Sequence, residues 1–449
     1  MVTYQDLLQA QTENRLTEFL LSAINQHKAS DEYRWAVDAE TYMRQQNSTI
    51  YNYKRLIYDI SGRAKVDNYS ANYKCGSNYF RQNVTQLNQY LLSNGVTFEQ
   101  EGTKDKLGGA DFDNQLALIS RSALVEGVCF GFYDFDRVRI FKLTEFVPLW
   151  DEEDGALKAG IRFWQIDPTK PLRVTLYTLD GVQQFIRRKG ESIRVMDGYE
   201  QPKPYKLITV KAPADAEAIY HGENYAAFPI VPCYGNYERQ SELVGKKGNI
   251  DAYDLIKSGL ANDIDDMQLI YWVLKNAGGM DDNDLREWME SIKYRKVVKT
   301  DDDVEVDSHS VEVPYAARET LLKRLELDIY NDAMALNTQE LANGNVTATA
   351  INAAYERLNN RADELEYCII DFIRGLLNLA GVDDNPHFTR TRLVNQLEEA
   401  QTVMLVAQYL DDETVREHLS WLTPEEKARI ADNIARQDMS RFDVTEEGN

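Results

Sequence analysis

One apolar stripe constrains this chain more than any other feature. From Ile351 the residues Tyr355, Leu358, Ala362, Leu365, Ile369, Phe372, Leu376 and Leu379 follow at steps of three or four. That spacing lines one face of an α-helix. Thr347 or Thr349 is placed to cap its start and Gly381 to end it. At 1.5 Å per residue such a helix reaches roughly 45 Å. It is long enough to link distant parts of one subunit.

Around the rod the period changes in blocks. The first hundred residues read as helical with long polar gaps. From 123 to 231 the period becomes two: 128–133 and 138–141 flank an Asp134-Phe135-Asp136 turn and read as a hairpin, and 161–166 and 172–178 are strand-like. Asp180-Gly181 then supplies a tight turn into 182–188. This predicts a mostly antiparallel sheet module. After Pro232 the helical period returns in Ile250, Tyr253, Ile256, Leu260, Ile264, Met267, Tyr271 and Leu274, with Asp251, Asp254, Asp263 and Asp266 on the opposite side and Gly278-Gly279 as the stop. Strand-like 294–298 and 304–306 follow. Helical period resumes at Leu322, Leu325, Ile329, Ala333 and Leu336, then breaks at the polar run around Asn343-Gly344-Asn345. In the tail, 393–410 is amphipathic and Thr423-Pro424-Glu425-Glu426 is a capping box. The fold class is α+β.

Charge and motifs narrow the function. Over 449 residues, 50 Lys and Arg face 73 Asp and Glu, a formal net charge of −23. No uncharged apolar run is long enough to span a bilayer. The opening residues lack a basic region followed by an apolar one, so secretion is not expected and a reducing cytoplasm is. Cys75, Cys129, Cys233 and Cys368 form no CxxC pair and read as reduced, packed thiols. The segment Gly245-Lys246-Lys247-Gly248 lacks the glycine spacing and hydroxyl of a phosphate-binding loop, and no HExxH, GxSxG or GxGxxG is present. His27, His221, His309, His387 and His418 are dispersed and read as surface or packing residues. No cofactor, metal or catalytic residue is expected.

Two features leave alternatives open. Asp281-Asp282-Asn283-Asp284 and Asp301-Asp302-Asp303 are either solvated turns or hard oxygen ligands; Asp281, Asp284, Asp301 and Asp303 would serve a metal-dependent nuclease built from dispersed carboxylates. Residues 51–90 carry six Lys and Arg against two Asp, interleaved with tyrosines such as Tyr53, Tyr58, Tyr69, Tyr73 and Tyr79. Such composition suits either a subunit interface or stacking against nucleic acid. The surrounding acidity favours the interface.

The order of these parts resembles tailed-bacteriophage portal proteins, the head-to-tail connectors of long-tailed phages of Gram-positive hosts. The likeness is carried by Asn78-Tyr79-Phe80-Arg81-Gln82-Asn83-Val84 leading to Tyr90 and Gly95, and by the 127–136 hairpin. It continues in Phe228-Pro229-Ile230-Val231-Pro232 before Ser241-Glu242-Leu243, and in Ile250-Asp251-Ala252-Tyr253-Asp254 with Ser258 and Asn262-Asp263. It covers residues 40–380. The resemblance implies a ring, usually a dodecamer, at one capsid vertex of the virion, assembled in the host cytoplasm. Double-stranded DNA would be packaged and ejected through its channel. The implied partners are the terminase motor, the major capsid and scaffold proteins and a head-completion adaptor, with no membrane. Another capsid-associated structural protein, such as a neck adaptor, is the nearest alternative within that setting.

Carried onto this chain, the resemblance implies a wing over 1–245, a first stem helix over 246–276, a clip over 277–313 and a second stem helix over 314–336. A tunnel loop over 337–348, with Asn343, Gly344, Asn345 and Thr347, would precede a long wing helix over 349–384 and a helical crown over 385–449. Lys323 and Arg324 on the second stem helix would face the duplex or, alternatively, form outer salt bridges. Arg286, Lys293, Arg295, Lys296 and Lys299, followed by Asp301 and Asp303, would join neighbouring clips and meet the terminase. The alternative for them is an exposed hairpin whose charges prevent edge aggregation. Twelve copies, each at −23, would carry roughly −280, a field that disfavours tight adhesion to phosphate.

Overall fold

The apolar stripe forms a single helix of 33 residues, Ala348–Ala380, about 50 Å long. In this computed structural model its Tyr355, Leu358, Ala362, Leu365, Ile369, Phe372 and Leu376 are all buried. Gly381 ends it in the left-handed region at φ 66°. The Gly381 N–H donates to Asn378 O at 3.3 Å and the Val382 N–H to Leu377 O at 3.0 Å, a Schellman closure that satisfies the last carbonyls. The structure describes residues 2–58, 62–68, 70–210, 219–266, 271–275, 305–309, 314–337 and 348–390, with isolated positions at 281, 283–284, 287, 415 and 429–430.

The chain begins with α1 (Tyr4–Thr12), α2 (Leu16–Ala29), α3 (Asp31–Met43) and the short α4 (Ser48–Asn52). A hairpin of β1 (Leu56–Tyr58) and β2 (Ala64–Val66) precedes α5 (Tyr79–Leu92), β3 (Val96–Phe98) and α6 (Asp111–Glu126). Then come β4 (Val128–Tyr133), β5 (Val138–Lys142), β6 (Phe146–Trp150), β7 (Leu157–Trp164), β8 (Leu172–Thr178) and β9 (Gly181–Arg187). The strands continue with β10 (Arg194–Val195), β11 (Lys206–Val210), β12 (Ile219–Glu223) and β13 (Ile230–Tyr234). After α7 (Lys247–Asp266), β14 (Tyr271–Lys275) pairs with β15 (Glu305–His309). The chain returns through α8 (Tyr315–Asp332) to the long helix, here α9, and β16 (Pro386–Phe388). Mixed α+β is the observed class.

The strands of the central module divide between two main antiparallel sheets. One has the order β10-β9-β8-β7-β6 and the other β13-β4-β5. All six positions of β4 are buried, because this strand is covered on both faces. Its Phe130 and Phe132 join Phe141, Phe146 and Tyr177 on the side of the larger sheet. Cys129 and Tyr133 instead join the core shared by α3, α5, α6 and α9. On the far face of the larger sheet, Leu7, Leu20 and Ile24 of α1 and α2 pack on Val147, Ile161, Phe163 and Val174.

Two glycines let α9 lie directly on the small sheet. Gly131 and Val231 are cross-strand partners. A Cβ on Gly131 would stand 2.5 Å from Phe372, and one on Gly375 would stand 2.6 Å from Val231. Each glycine is therefore the notch for a side chain of the other element, and the two contacts interlock.

Two readings change. The helix expected through 276 is observed only to Asp266, and Tyr271–Lys275 is a strand. Its Tyr-Trp-Val-Leu run fits helical spacing but is also aromatic and β-branched, and pairing of Val273 with Asp307 and Leu274 with Val306 decides the matter. Asp254, expected on the solvent side of α7, is fully buried. The chain divides into two compact units, 1–389 and 390–449. Pro386–Phe388 pairs with Val96–Phe98 inside the first unit. The tail features at 393–410 and 423–426 lie outside the described residues, as do the strand-like 294–298 and the turn Asn343-Gly344-Asn345.

Candidate functional site

Helices α7 and α8 lie antiparallel. Asn249 donates to Asp332 at 2.7 Å near one end, and Arg318 pairs with Asp263 near the other. Tyr79 wedges against both, with ring centroids 5.0 Å from Tyr253 and 5.9 Å from Tyr330. The described residues leave much of α8 open: within Tyr315–Asp332 the single buried side chain is Ile329. Leu255, Ile264, Tyr315 and Leu321 are exposed.

A polar ladder on α7 holds an extended strap of chain. The N–H groups of Tyr73, Cys75 and Ser77 donate to Asn262 Oδ1, Ser258 Oγ and Asp254 Oδ1 at 2.6, 2.9 and 2.7 Å. The register is physical. Two residues of extended chain rise about 6.6 Å, and four residues of helix about 6 Å. Alternate amides therefore meet every fourth helical side chain. Asp254 also accepts from Asn47 Nδ2. Burial pushes its carboxyl up, against the opposing pull of these donors. One turn earlier, Asp251 accepts from Tyr42 Oη, from Thr49 Oγ1 at 2.7 Å and from Lys247 Nζ at 2.8 Å.

The approach to α7 carries a buried ionic node. Glu242 Oε2 accepts from Arg361 Nη2 at 2.9 Å and Lys246 Nζ at 2.5 Å, and Oε1 accepts from Asn236 Nδ2 at 2.9 Å. Arg361 Nη1 also donates to Ala333 O at 2.6 Å, at the C-cap of α8, where the helix dipole favours a cation. One guanidinium thus ties α9 to the start of α7 and the end of α8. Burial would raise the Glu242 carboxyl, but Arg361 and Lys246 outweigh it and hold it down to about 2.

Of the residues named from sequence, Lys323 and Arg324 are exposed and paired along their own helix, with Glu319 at 2.8 Å and Asp328 at 3.2 Å. Arg286, Lys293, Arg295, Lys296, Lys299, Asp301, Asp303, Asn343, Gly344, Asn345 and Thr347 lie outside the described residues. Asp281 closes a local turn, its Oδ1 accepting from the N–H groups of Asn283 and Asp284 at 2.8 and 2.9 Å. Among the described residues no group of three or more His, Cys, Asp or Glu is placed to hold a metal ion. No described helix is long and apolar enough to cross a membrane. His27 is a packing histidine, its Nε2 2.8 Å from Leu143 O, with burial lowering its pKa.

Sequence reasoning missed the ladder and the ionic node. The ladder left a signal, since Asp254, Ser258 and Asn262 recur at steps of four. Those residues belong to the segment that carried the family resemblance, as do Ser77's neighbours from Asn78 onward and the Ser241-Glu242-Leu243 run. The structure brings all three stretches to one junction.

Comparison with known proteins agrees. The family model described as phage portal protein, SPP1 Gp6-like, matches residues 33–439. A portal protein of Bacillus phage SPP1 is 27% identical over 384 residues, covering 78% of this chain and 73% of that one. A portal protein of Clostridium phage phiCD119 is 29% identical over 238 residues, 50% of this chain and 52% of that one. Among solved structures, chains from the neck of an empty GTA particle and the neck of a native GTA particle each align at a TM-score of 0.44, with 8% and 9% identity, covering 77% of this chain and 90% of theirs. The chain belongs to the phage portal protein family, in its SPP1 Gp6-like group.

Proposed function

We propose that this chain assembles into a ring, with twelve subunits as the expected number, that forms a channel for double-stranded DNA at one capsid vertex. In this reading 1–245 and 349–384 form the wing, α7 and α8 the stem, 277–313 the clip, 337–348 the tunnel loop and 385–449 the crown. The terminase motor and a head-completion adaptor dock on the ring, and the capsid and scaffold proteins surround it. The subunit performs no bond-breaking itself and acts as conduit and platform.

Beside family membership, the observation that carries this reading is the uncovered helix pair. An 18-residue helix with one buried side chain carries apolar groups that the described residues leave open, a face that neighbouring copies can cover. Identical copies arranged about an axis cover both flanks of every pair at once, through a heterologous contact that closes on itself. Electron microscopy and native mass spectrometry of the purified protein test the reading. Hollow rotational rings are expected, and a protein that stays monomeric across concentration and ionic strength would overturn it.

A further inference from the structure

Among the described residues six buried side-chain nitrogen or oxygen atoms lack a hydrogen-bond partner, and three of them, Asn47 Oδ1, Ser77 Oγ and Asn78 Oδ1, fall at the junction of the strap with α7. Asn47 is 1% exposed and Ser77 6%. Buried oxygens are ordinarily bonded, so their gathering at one place is informative. The same junction holds a buried charge. Asp254 is 0% exposed, and its described hydrogen-bond partners are neutral: Asn47 Nδ2 and, at 2.7 Å, the Ser77 N–H. Lys247, on the same helix, is engaged by Asp251 at 2.8 Å and Asp38 at 3.7 Å.

The unpartnered oxygens of Asn47 and Ser77 lie beside this carboxyl. Asn47 carries Oδ1 on the same carbon as the Nδ2 that bonds both Asp254 and, at 3.1 Å, Ser77 O. Burial raises the Asp254 carboxyl, and the Asn47 and Ser77 side chains pull it back down. The Ser77 hydroxyl is thus close to the carboxyl, yet it makes no aligned hydrogen bond. A carboxylate closed off from water is stable when it is paired with a cation or ligates a metal ion. Carboxylate, amide carbonyl and hydroxyl oxygens, with no nitrogen or sulfur among them, suit hard ions rather than zinc or copper. Charge then selects within the hard ions. A monovalent ion neutralises one carboxylate, whereas a divalent ion would leave excess charge buried.

We propose that Asp254, Asn47 Oδ1 and Ser77 Oγ bind an alkali cation, sodium or potassium, which ties the start of α4, the strap and α7 into one node. The site lies within a single subunit and does not depend on the ring.

Thermal unfolding of the full chain, at constant ionic strength, compares sodium chloride and potassium chloride with choline chloride, whose cation is too large for the site. A ligand that binds only the folded chain raises the midpoint as its concentration grows. The midpoint is therefore expected to climb as sodium or potassium replaces choline. Ser77→Ala distinguishes an ion ligand from a merely unpaired group. Removing an unpaired buried hydroxyl is neutral or stabilising, whereas removing a ligand should lower the midpoint and raise the half-saturating alkali concentration by roughly tenfold. Asp254→Asn should abolish the alkali dependence, and where that variant does not fold, Ser77→Ala carries the decision. Equal midpoints in choline, sodium and potassium overturn the proposal and leave ordered water as the partner of these oxygens. Stabilisation by calcium or magnesium but not by sodium or potassium overturns the assignment of the ion. An alkali dependence that Ser77→Ala leaves unchanged puts the ion elsewhere and overturns the site.

Discussion

Glu242 keeps its charge inside the protein because three donors converge on it. Its carboxyl is ordinary near 4.5 in the unfolded chain and held down to about 2 in the folded one. Its contribution is therefore complete above about pH 4.5 and is lost as pH falls toward 2. Arg361→Met should leave the carboxylate buried with Lys246 as its sole remaining cation, and cost about 3–5 kcal/mol in denaturant unfolding. Glu242→Met in the same background should recover much of that loss, a sign of charge burial rather than lost packing. Glu126 behaves in the opposite sense. Burial raises its carboxyl to about 8, although Lys142 lies 3.7 Å away. The folded state holds that proton more tightly than the unfolded chain, so this residue's contribution to stability declines as pH rises from about 4.5 to 8. Glu126→Gln should flatten that decline, measured as the difference between variant and unaltered protein at pH 5 and pH 8.5.

Elements in this protein are joined by matched periods. The strap 73–77 on α7 is a case in which extended backbone is paired by helix side chains rather than by another strand. Ser258→Ala would leave the half-buried Cys75 amide without its acceptor, at about 0.5–1.5 kcal/mol. The exchange of that amide should accelerate more than that of amides in α5. The crossing of α9 over the β13-β4-β5 sheet depends on Gly131 and Gly375. Gly375→Val should drive its side chain into Val231 and cost about 1–3 kcal/mol or more. Val231→Ala in the same chain should relieve part of the loss, read as a recovery in thermal midpoint. A shared notch predicts coupling between these two sites, whereas independent sites would add.

At the scale of the whole molecule, the proposed ring asks charge and shape to serve sliding as well as assembly. A ring of chains each carrying −23 should hold a duplex weakly, so gel-shift binding is expected to be marginal at physiological salt. Tight, salt-resistant binding would contradict a conduit. Local periodicity determined much of the architecture directly: the buried stripe of α9 and its glycine stop, the 128–142 hairpin, the run of antiparallel strands and the existence of α7 and α8. Those features repeat within a few residues, and hydrophobic spacing reports them without knowledge of any partner. The end of α7 was not decided at that level, because Tyr271–Lys275 satisfies both periods until Glu305–His309 pairs with it. Nor was the environment of Asp254, whose donor Ser77 lies 177 residues away, or that of Glu242, 119 residues from Arg361. A carboxylate in sequence reads as solvent-facing, since burying it alone is prohibitive. Only the tertiary structure brings distant amides and a guanidinium close enough to make that burial stable.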